Sequence, residues 1–111
     1  MKKLILTAFL ALSIGLINAQ KVFSAQNESQ ADLKVYVVGY EYQADLLVYK
    51  VDYEYQAGQN DGKWFFVKYE YQAEKKIYFV ENESQAELKI FFVENEYQSG
   101  WKDKSKQQLM Y

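Results

Sequence analysis

The sequence predicts an all-β fold, built as one compact domain of six short repeats. A motif of the form Glu-(Ser/Tyr)-Gln-(Ala/Ser) occurs six times in the 111-residue chain, and each copy follows a short hydrophobic run. The starts of these runs are 13, 13, 16, 13 and 13 residues apart. Such near-constant spacing is typical of repeat proteins, whose units cannot bury their apolar faces alone. The six units are therefore expected to share one small core.

The hydrophobic runs begin at Lys21, Lys34, Leu47, Lys63, Lys76 and Lys89. They are rich in β-branched and aromatic residues, which favour short strands packed on both faces. The motif after each run is interpreted as a second, half-exposed strand or an extended turn, because its polar residues alternate. Helix is disfavoured because no apolar stripe at 3.6-residue spacing lasts longer than a turn. Only residues 102–110 are expected to hold a helical turn.

A turn-rich insertion, Ala57-Gly58-Gln59-Asn60-Asp61-Gly62, interrupts the repeats after the third unit. The sixth unit ends in a matching segment around Gly100 and Trp101. Units one to three and units four to six therefore look like two copies of one block, which predicts pseudo-twofold symmetry. A β-solenoid or a trefoil-like repeat is the alternative architecture.

The N-terminal segment has the three regions of a secretory signal peptide. Lys2 and Lys3 precede an apolar run from Leu4 to Ile17, and Asn18-Ala19-Gln20 follows it. The run is shorter than the roughly 20 residues that a spanning helix needs. We expect residues 1–19 to be cleaved before Gln20, leaving residues 20–111 as a periplasmic or secreted domain with no membrane span.

Charge and composition exclude several classes of function. Loss of residues 1–19 removes Lys2 and Lys3 and leaves 11 lysines against 15 acids, a formal net charge of −4. Lysine and glutamate are interspersed, so no basic stripe marks a nucleic-acid interface. Cysteine, histidine and arginine are absent, which removes thiol chemistry, the usual near-neutral acid or base, and bidentate anion clamps. The sequence therefore predicts no enzyme and no cofactor, and it leaves the oligomeric state open.

The repeated polar residues have a structural and a functional interpretation. A glutamine amide can donate and accept, so the repeated glutamines are predicted to clamp neighbouring windings together: Gln30, Gln43, Gln56, Gln72, Gln85 and Gln98. On this hypothesis Gln43→Ala costs more stability than Glu87→Gln. The functional alternative makes the acids metal ligands, namely Glu28, Glu41, Glu54, Glu70, Glu83, Glu96, Asp32, Asp45, Glu74 and Glu87. No calcium-loop motif supports it, and six equivalent acids lack the pKa asymmetry that a glycosidase pair needs.

Tyrosine is in excess, with 11 in the chain. Six flank the motif glutamate in three of the units: Tyr40, Tyr42, Tyr53, Tyr55, Tyr69 and Tyr71. Rigid amphipathic rings of this kind can form a binding face for a sugar or a protein. They can also cover the core and pack on cross-strand neighbours, which is the interpretation that the sequence favours.

The repeat pattern resembles the septknot family of small bacterial domains. Units of the form Lys-Val-Tyr-x-Val-x-Tyr-Glu-Tyr-Gln-Ala-Asp-Leu carry the resemblance, together with Gly100-Trp101-Lys102 and Leu109-Met110-Tyr111. The resemblance implies a β-rich domain whose backbone forms a seven-crossing 7(1) torus knot. We therefore expect a non-catalytic exported structural or interaction domain with an unidentified protein or glycan partner. The alternative is a carbohydrate- or cell-surface-binding module that uses the tyrosines and glutamates.

Overall fold

The computed structural model describes residues 19–111, so the predicted signal peptide lies outside the described residues except for Ala19. Within this range seven short strands form: β1 (Lys21–Ser24), β2 (Leu33–Val37), β3 (Leu46–Lys50), β4 (Lys63–Phe66), β5 (Lys75–Phe79), β6 (Leu88–Phe92) and β7 (Gly100–Trp101). The first six coincide with the six predicted hydrophobic runs. The all-β prediction and the six-repeat prediction are confirmed.

The first six strands close into a parallel barrel. Their order is β4-β1-β5-β2-β6-β3, and β3 pairs with β4 to complete the circle. All six of these pairings are parallel, whereas β7 adds to β3 in antiparallel fashion. A closed parallel barrel is thus the form that the predicted repeat domain takes, in place of a solenoid or a trefoil.

The two predicted half-blocks interleave around this barrel. Strands β1, β2 and β3 come from the first block and alternate with β4, β5 and β6 from the second. Each block makes one circuit, and each of its strands lies between two strands of the other block. The predicted pseudo-twofold relation is therefore present as two windings of one chain around a shared core.

Each strand turns one face into the barrel. Its buried residues alternate with half-buried ones, as in β2 and β3. The core contains Val22, Leu33, Val35, Leu46, Val48, Trp64, Ile77, Leu88, Ile90 and Met110. The prediction that strands are packed on both faces was wrong, because their outer faces are covered only in part by the connecting segments.

The polar motif of each repeat forms a short 3₁₀ turn. We number these turns 1 to 6: Glu28–Gln30, Glu41–Gln43, Glu54–Gln56, Glu70–Gln72, Glu83–Gln85 and Glu96–Gln98. The residues on either side of each turn are extended. The interpretation as a second strand is therefore corrected, since the chain has to cross over a strand of the other block within a few residues to reach its next strand, which runs in the same direction.

Five of the six turns cross the outside of the strand that lies between the two strands they join, whereas turn 3, whose strands β3 and β4 pair directly, crosses β4 itself. Turn 1 connects β1 to β2, which flank β5. Before the turn, Ala25 N donates to Ile77 O, and after it Asp32 N donates to Lys76 O, at distances of 2.7 and 2.8 Å. The same pair of bonds recurs where turn 2 crosses β6, turn 3 crosses β4, turn 4 crosses β1 and turn 5 crosses β2. Every strand of one winding is thus straddled by a turn of the other.

The insertion between the blocks meets the end of the sixth unit. Trp101 Nε1 donates to the backbone oxygen and to Oδ1 of Asn60, at 3.1 and 3.2 Å. Gly62 has φ of +92°, and a Cβ there would lie 2.4 Å from Leu47 O and 2.9 Å from Gly100 N. Only glycine fits this position, because both obstructions are backbone atoms.

The C-terminal tail closes one end of the barrel. It forms a 3₁₀ helix, Lys104–Met110, within the segment for which a helical turn was predicted. Met110 is buried in the core, and its backbone oxygen accepts a hydrogen bond from Gln20 Nε2 at 3.2 Å. Asn60 Nδ2 donates to Gln107 O at 3.0 Å. The first and last parts of the described chain thus meet at the same end.

The start of this tail helix predicts a pH dependence of stability. Asp103 Oδ1 accepts hydrogen bonds from Ser105 Oγ and Ser105 N, and these bonds lower the pKa of Asp103 below its ordinary value of about 4. A carboxyl group with a lowered pKa stabilises the fold above its ordinary pKa, and the contribution is lost as pH falls through the folded-state value. We expect the difference in melting temperature between wild type and Asp103→Asn to shrink below about pH 4. Calorimetry from pH 7 to 2 measures it, and a constant difference would contradict this role.

Candidate functional site

The motif glutamines close their own turns. Gln43 Oε1 accepts from Tyr40 N at 3.2 Å, Gln56 Oε1 from Tyr53 N at 3.0 Å, and the two remaining bonds of this kind join Gln72 to Tyr69 and Gln98 to Asn95. This is the capping-box arrangement, in which a side chain returns to the backbone three residues earlier. Because these bonds are local, they do not bridge neighbouring windings as the clamp hypothesis required.

Two of the six glutamines differ from the others. Turns 1 and 5 lack the capping box, so Gln30 and Gln85 do not make the loop-closing bond in the described part of the chain. These turns also have Asn and Ser where turns 2, 3 and 4 have two tyrosines: Asn27 and Ser29, and Asn82 and Ser84. The repeat therefore has a tyrosine version in turns 2, 3 and 4 and an asparagine-serine version in turns 1 and 5, while turn 6 combines Asn95 with Tyr97.

An acid follows Gln-Ala in four of the units, and in three of them its side chain accepts a hydrogen bond from the other winding. Asp32 Oδ2 accepts from Lys76 N at 3.0 Å, while Asp32 N donates to Lys76 O. Asp45 pairs with Lys89 in the same way, at 2.9 and 2.7 Å. Sequence reasoning grouped these acids with possible metal ligands. Their repeated position directly after Gln-Ala could have indicated a shared structural role. The strand to which they bond could not be predicted from the sequence.

Glu87 makes the equivalent bond in the opposite direction, from the second block to the first. Its Oε1 accepts from Lys34 N at 2.9 Å, and its backbone N donates to Lys34 O at 2.9 Å. Glu87 is therefore not an ordinary surface acid. The expectation that Glu87→Gln would serve as an inert comparison for Gln43→Ala was wrong.

Six of the tyrosines project into solvent as three stacked pairs. Their exposed fractions run from 50% for Tyr69 to 84% for Tyr71. The ring centroids within a pair are 5.7 to 5.8 Å apart and the rings are within 18° of parallel: Tyr40 with Tyr42, Tyr53 with Tyr55, and Tyr69 with Tyr71. The interpretation that they cover the core was wrong. Stacking on each other leaves flat aromatic surface free to bind a partner.

Barrel closure makes the aromatic turns neighbours in one continuous stretch around the barrel. Strand order places the turns around the barrel in the order 3, 4, 1, 5, 2, 6, because each lies over the strand it crosses. Turns 2, 6, 3 and 4 are consecutive in this circle, and each carries at least one exposed tyrosine, with Tyr97 on turn 6. We call these four turns the aromatic arc. Turns 1 and 5 fill the rest of the circle and form a polar side.

Comparison with known families identifies the family of this domain. A family model described as the 7(1) septoil knot domain matches residues 19–102, which include all seven strands. The chain belongs to the septknot family. No curated protein and no solved structure matches it. The tail helix of this septknot domain lies beyond the matched residues.

Ion pairs of the septknot domain also follow the repeat. The glutamate of a turn pairs with the lysine six residues later, at 2.9 Å in Glu28–Lys34 and at 3.7 Å in two others, Glu70–Lys76 and Glu83–Lys89. The hydrogen bond that the Lys34 ammonium donates to Glu28 raises the pKa of Lys34. Within residues 19–111 no three acidic side chains converge as a metal site would need. Seven of the ten repeated acids therefore pair with a lysine or accept from a backbone N–H group.

The two tryptophans of the septknot domain have structural positions, so the binding surface has to be sought elsewhere. Trp64 is fully buried in the barrel, and Trp101 joins the insertion to β7, so both indoles have structural positions. Among residues 19–111 there is no helix with the length and apolarity needed to cross a bilayer. The surface with the most exposed aromatic area is the aromatic arc, which makes it the candidate binding surface.

Proposed function

We propose that this septknot domain is a non-catalytic, exported binding module whose aromatic arc recognises a carbohydrate chain at a cell surface. The observation that carries the proposal is the set of three exposed, stacked tyrosine pairs on turns 2, 3 and 4 of the aromatic arc. A rigid ring contributes contact area at low cost in conformational entropy. The wound barrel supplies a fixed frame, so the turns need little reordering when a ligand binds.

The chemistry of the arc fits a sugar better than an apolar protein surface. Each pair has a glutamate between its two tyrosines, at Glu41, Glu54 and Glu70. Carboxylate and phenol oxygens can hydrogen-bond sugar hydroxyl groups while the ring faces pack on the C–H faces of the sugar. Three turns of the aromatic arc repeat this combination, and turn 6 adds a single tyrosine, Tyr97, beside Glu96. Repetition of one weak site suits a polymer with repeated units, because linked sites raise the effective concentration of each contact.

Tyr42→Ala and Tyr55→Ala test the proposal. These rings are 75% and 83% exposed, so we expect stability to change by no more than about 0.5 kcal/mol while glycan binding is lost or falls severalfold. A glycan array combined with pull-down from a cell-envelope fraction measures binding. Ser29→Ala is the matched control, because Ser29 has the same place in turn 1 on the polar side. Capture of a protein with no glycan binding would replace the carbohydrate proposal with a protein-binding one.

Export rests on the N-terminal signal and predicts a defined mature end. Gln20 has a buried side chain, its backbone N donates to Gly58 O at 2.8 Å, and its backbone O accepts from Phe65 N at 3.0 Å. Cleavage before Gln20 leaves these bonds available, because a new terminal amine still donates to Gly58 O. We expect intact-mass analysis of the exported protein to give residues 20–111. A mass that retains residues 1–19 would contradict cleavage.

The winding itself supports the structural part of the proposal. Every strand of one block is held between strands of the other and is straddled by a turn. Local opening of one unit therefore disturbs contacts of the other block as well, which favours cooperative unfolding and resistance to proteases. The knotted backbone implied by the family would strengthen this resistance. Such a frame suits a binding module that works outside the cell.

A further inference from the structure

The polar side of the barrel contains a cavity that the aromatic arc does not include. Its volume is about 340 Å³, and it lies between turn 1 and the segment that links β5 to turn 5. The lining residues are Glu28, Tyr78, Val80, Glu81, Asn82 and Gln85. A cavity of this size is at the lower end of the range for small-molecule sites, about 300 to 1,000 Å³.

The cavity lies between the two turns of the asparagine-serine version, turn 1 and turn 5. Asn82 lines the cavity and occupies the place that a stacked tyrosine has in turns 2, 3 and 4. Gln85 also lines the cavity. Its side chain lacks the capping bond that the motif glutamines of the aromatic arc make. The amide groups of Asn82 and Gln85 are therefore free to bind a ligand. Because both turn 1 and turn 5 have Asn and Ser in place of the two tyrosines, the space between them is a polar cavity.

The lining has a charge that favours a cation. Two acidic residues line this space, Glu28 and Glu81. Glu28 already pairs with Lys34 at 2.9 Å, whereas the ion pairs found within residues 19–111 do not include Glu81. A ligand ammonium group would compensate Glu81. The amides and the phenol of Tyr78 would hydrogen-bond hydroxyl groups on the same ligand.

We propose that this cavity binds an amino sugar with a free, protonated amine. The amine pairs with Glu81, the hydroxyl groups bond to Asn82 and Gln85, and the ring lies against Tyr78 and Val80. The site is independent of the aromatic arc, so each can be tested while the other is intact. The cavity is partly open, and we expect affinity of about millimolar strength for a single sugar unit.

An NMR titration of the exported protein with glucosamine tests the site, with glucose and N-acetylglucosamine as neutral comparisons. We expect glucosamine to shift the amide signals of residues 78–85, and the neutral sugars to bind at least about tenfold more weakly. Glu81→Gln is expected to weaken glucosamine binding by a similar factor. Glu94→Gln is the matched control, because Val93-Glu94-Asn95-Glu96 repeats the local sequence Val80-Glu81-Asn82-Glu83 beside a tyrosine turn.

A second variant fills the site without disturbing the fold. Asn82→Tyr combined with Ser84→Tyr recreates the stacked pair that the barrel already accepts in turns 2, 3 and 4. We expect this variant to keep the wild-type melting temperature and to lose glucosamine binding. Equal binding of glucose and glucosamine would overturn the role of the amine. Binding that survives both variants, or shifts confined to the tyrosine turns, would overturn the cavity as the site.

Discussion

Trp64→Ala is expected to lower the free energy of unfolding by about 3–5 kcal/mol, the range found for large aromatic residues removed from a core. Trp64 is fully buried, and it is the largest residue of the core. The inward residues at the corresponding position of the other strands are Val22, Val35, Val48, Ile77 and Ile90. Because these five residues are smaller aliphatic ones, the indole of Trp64 fills the centre of the barrel. Neighbouring side chains of a closed barrel cannot collapse far into the space that its removal would leave.

The position of Trp64 increases this effect. It lies in β4, which closes the barrel by pairing with both β1 and β3. Trp64 O accepts a hydrogen bond from Val51 N at 2.9 Å, and the indole packs edge-on against Phe66 with ring centroids 6.0 Å apart. A stability of about 5–15 kcal/mol is typical of a small domain, so the loss is a large fraction of the total. Chemical denaturation followed by circular dichroism measures it.

Trp64→Phe is the control for this prediction. Trp64 Nε1 is buried and has no hydrogen-bond partner within residues 19–111, so phenylalanine removes a donor that the fold does not use. We expect Trp64→Phe to cost less than half of what Trp64→Ala costs, because most of the ring volume is retained. Equal costs for the two variants would show that the indole N–H, and not the filling of the core, is what matters.

The six strands could be predicted from the sequence because each repeat is dense in residues that suit a pleated surface. Lys76-Ile77-Tyr78-Phe79 contains only one residue that does not favour a strand. The form of the motif could not be predicted, because Glu-Tyr-Gln alternates in polarity as a strand does. Its 3₁₀ geometry depends on the distance between β1 and β2, which one strand of the other block separates. That separation is a property of the barrel and not of any single repeat.

The candidate surface was only half predicted for the same reason. The sequence predicted which tyrosines could form a binding face. It did not predict which turns are neighbours, because asparagine-serine turns come before and after the tyrosine turns along the chain. Turn 6 precedes turn 3 around the barrel only because β3 pairs with β4. Consecutive strands usually neighbour each other, and connections rarely thread, so general rules argue against an interleaved order. The segregation of an aromatic arc from a polar side follows from closure, and sequence patterns carry no information about it.

Asp45→Ala is expected to cost roughly 2–3 kcal/mol and to be the most damaging change to a polar residue in the repeats. Asp45 is 7% exposed. Its carboxylate accepts from Lys89 N at 2.9 Å and from Lys106 Nζ at 3.1 Å. Its backbone O accepts from Lys102 N and Asp103 N at 2.8 and 3.0 Å. Alanine keeps the backbone bonds but leaves the N–H of Lys89 and the ammonium of Lys106 without an acceptor.

Comparison with Gln43→Ala decides which residue joins the windings. Gln43 accepts one bond from Tyr40 N within an exposed turn, where water can replace the lost acceptor, so we expect a cost of about 1 kcal/mol or less. Asp45→Asn keeps an acceptor for Lys89 N but removes the charge beside Lys106, and it should fall between the two. Denaturant titrations of the three variants give this order. If Gln43→Ala cost as much as Asp45→Ala, closure of each turn would matter as much as the bond between windings. The predicted order means instead that the acid after Gln-Ala fastens one winding to the other, which leaves the exposed turns free to vary between their tyrosine and asparagine-serine forms.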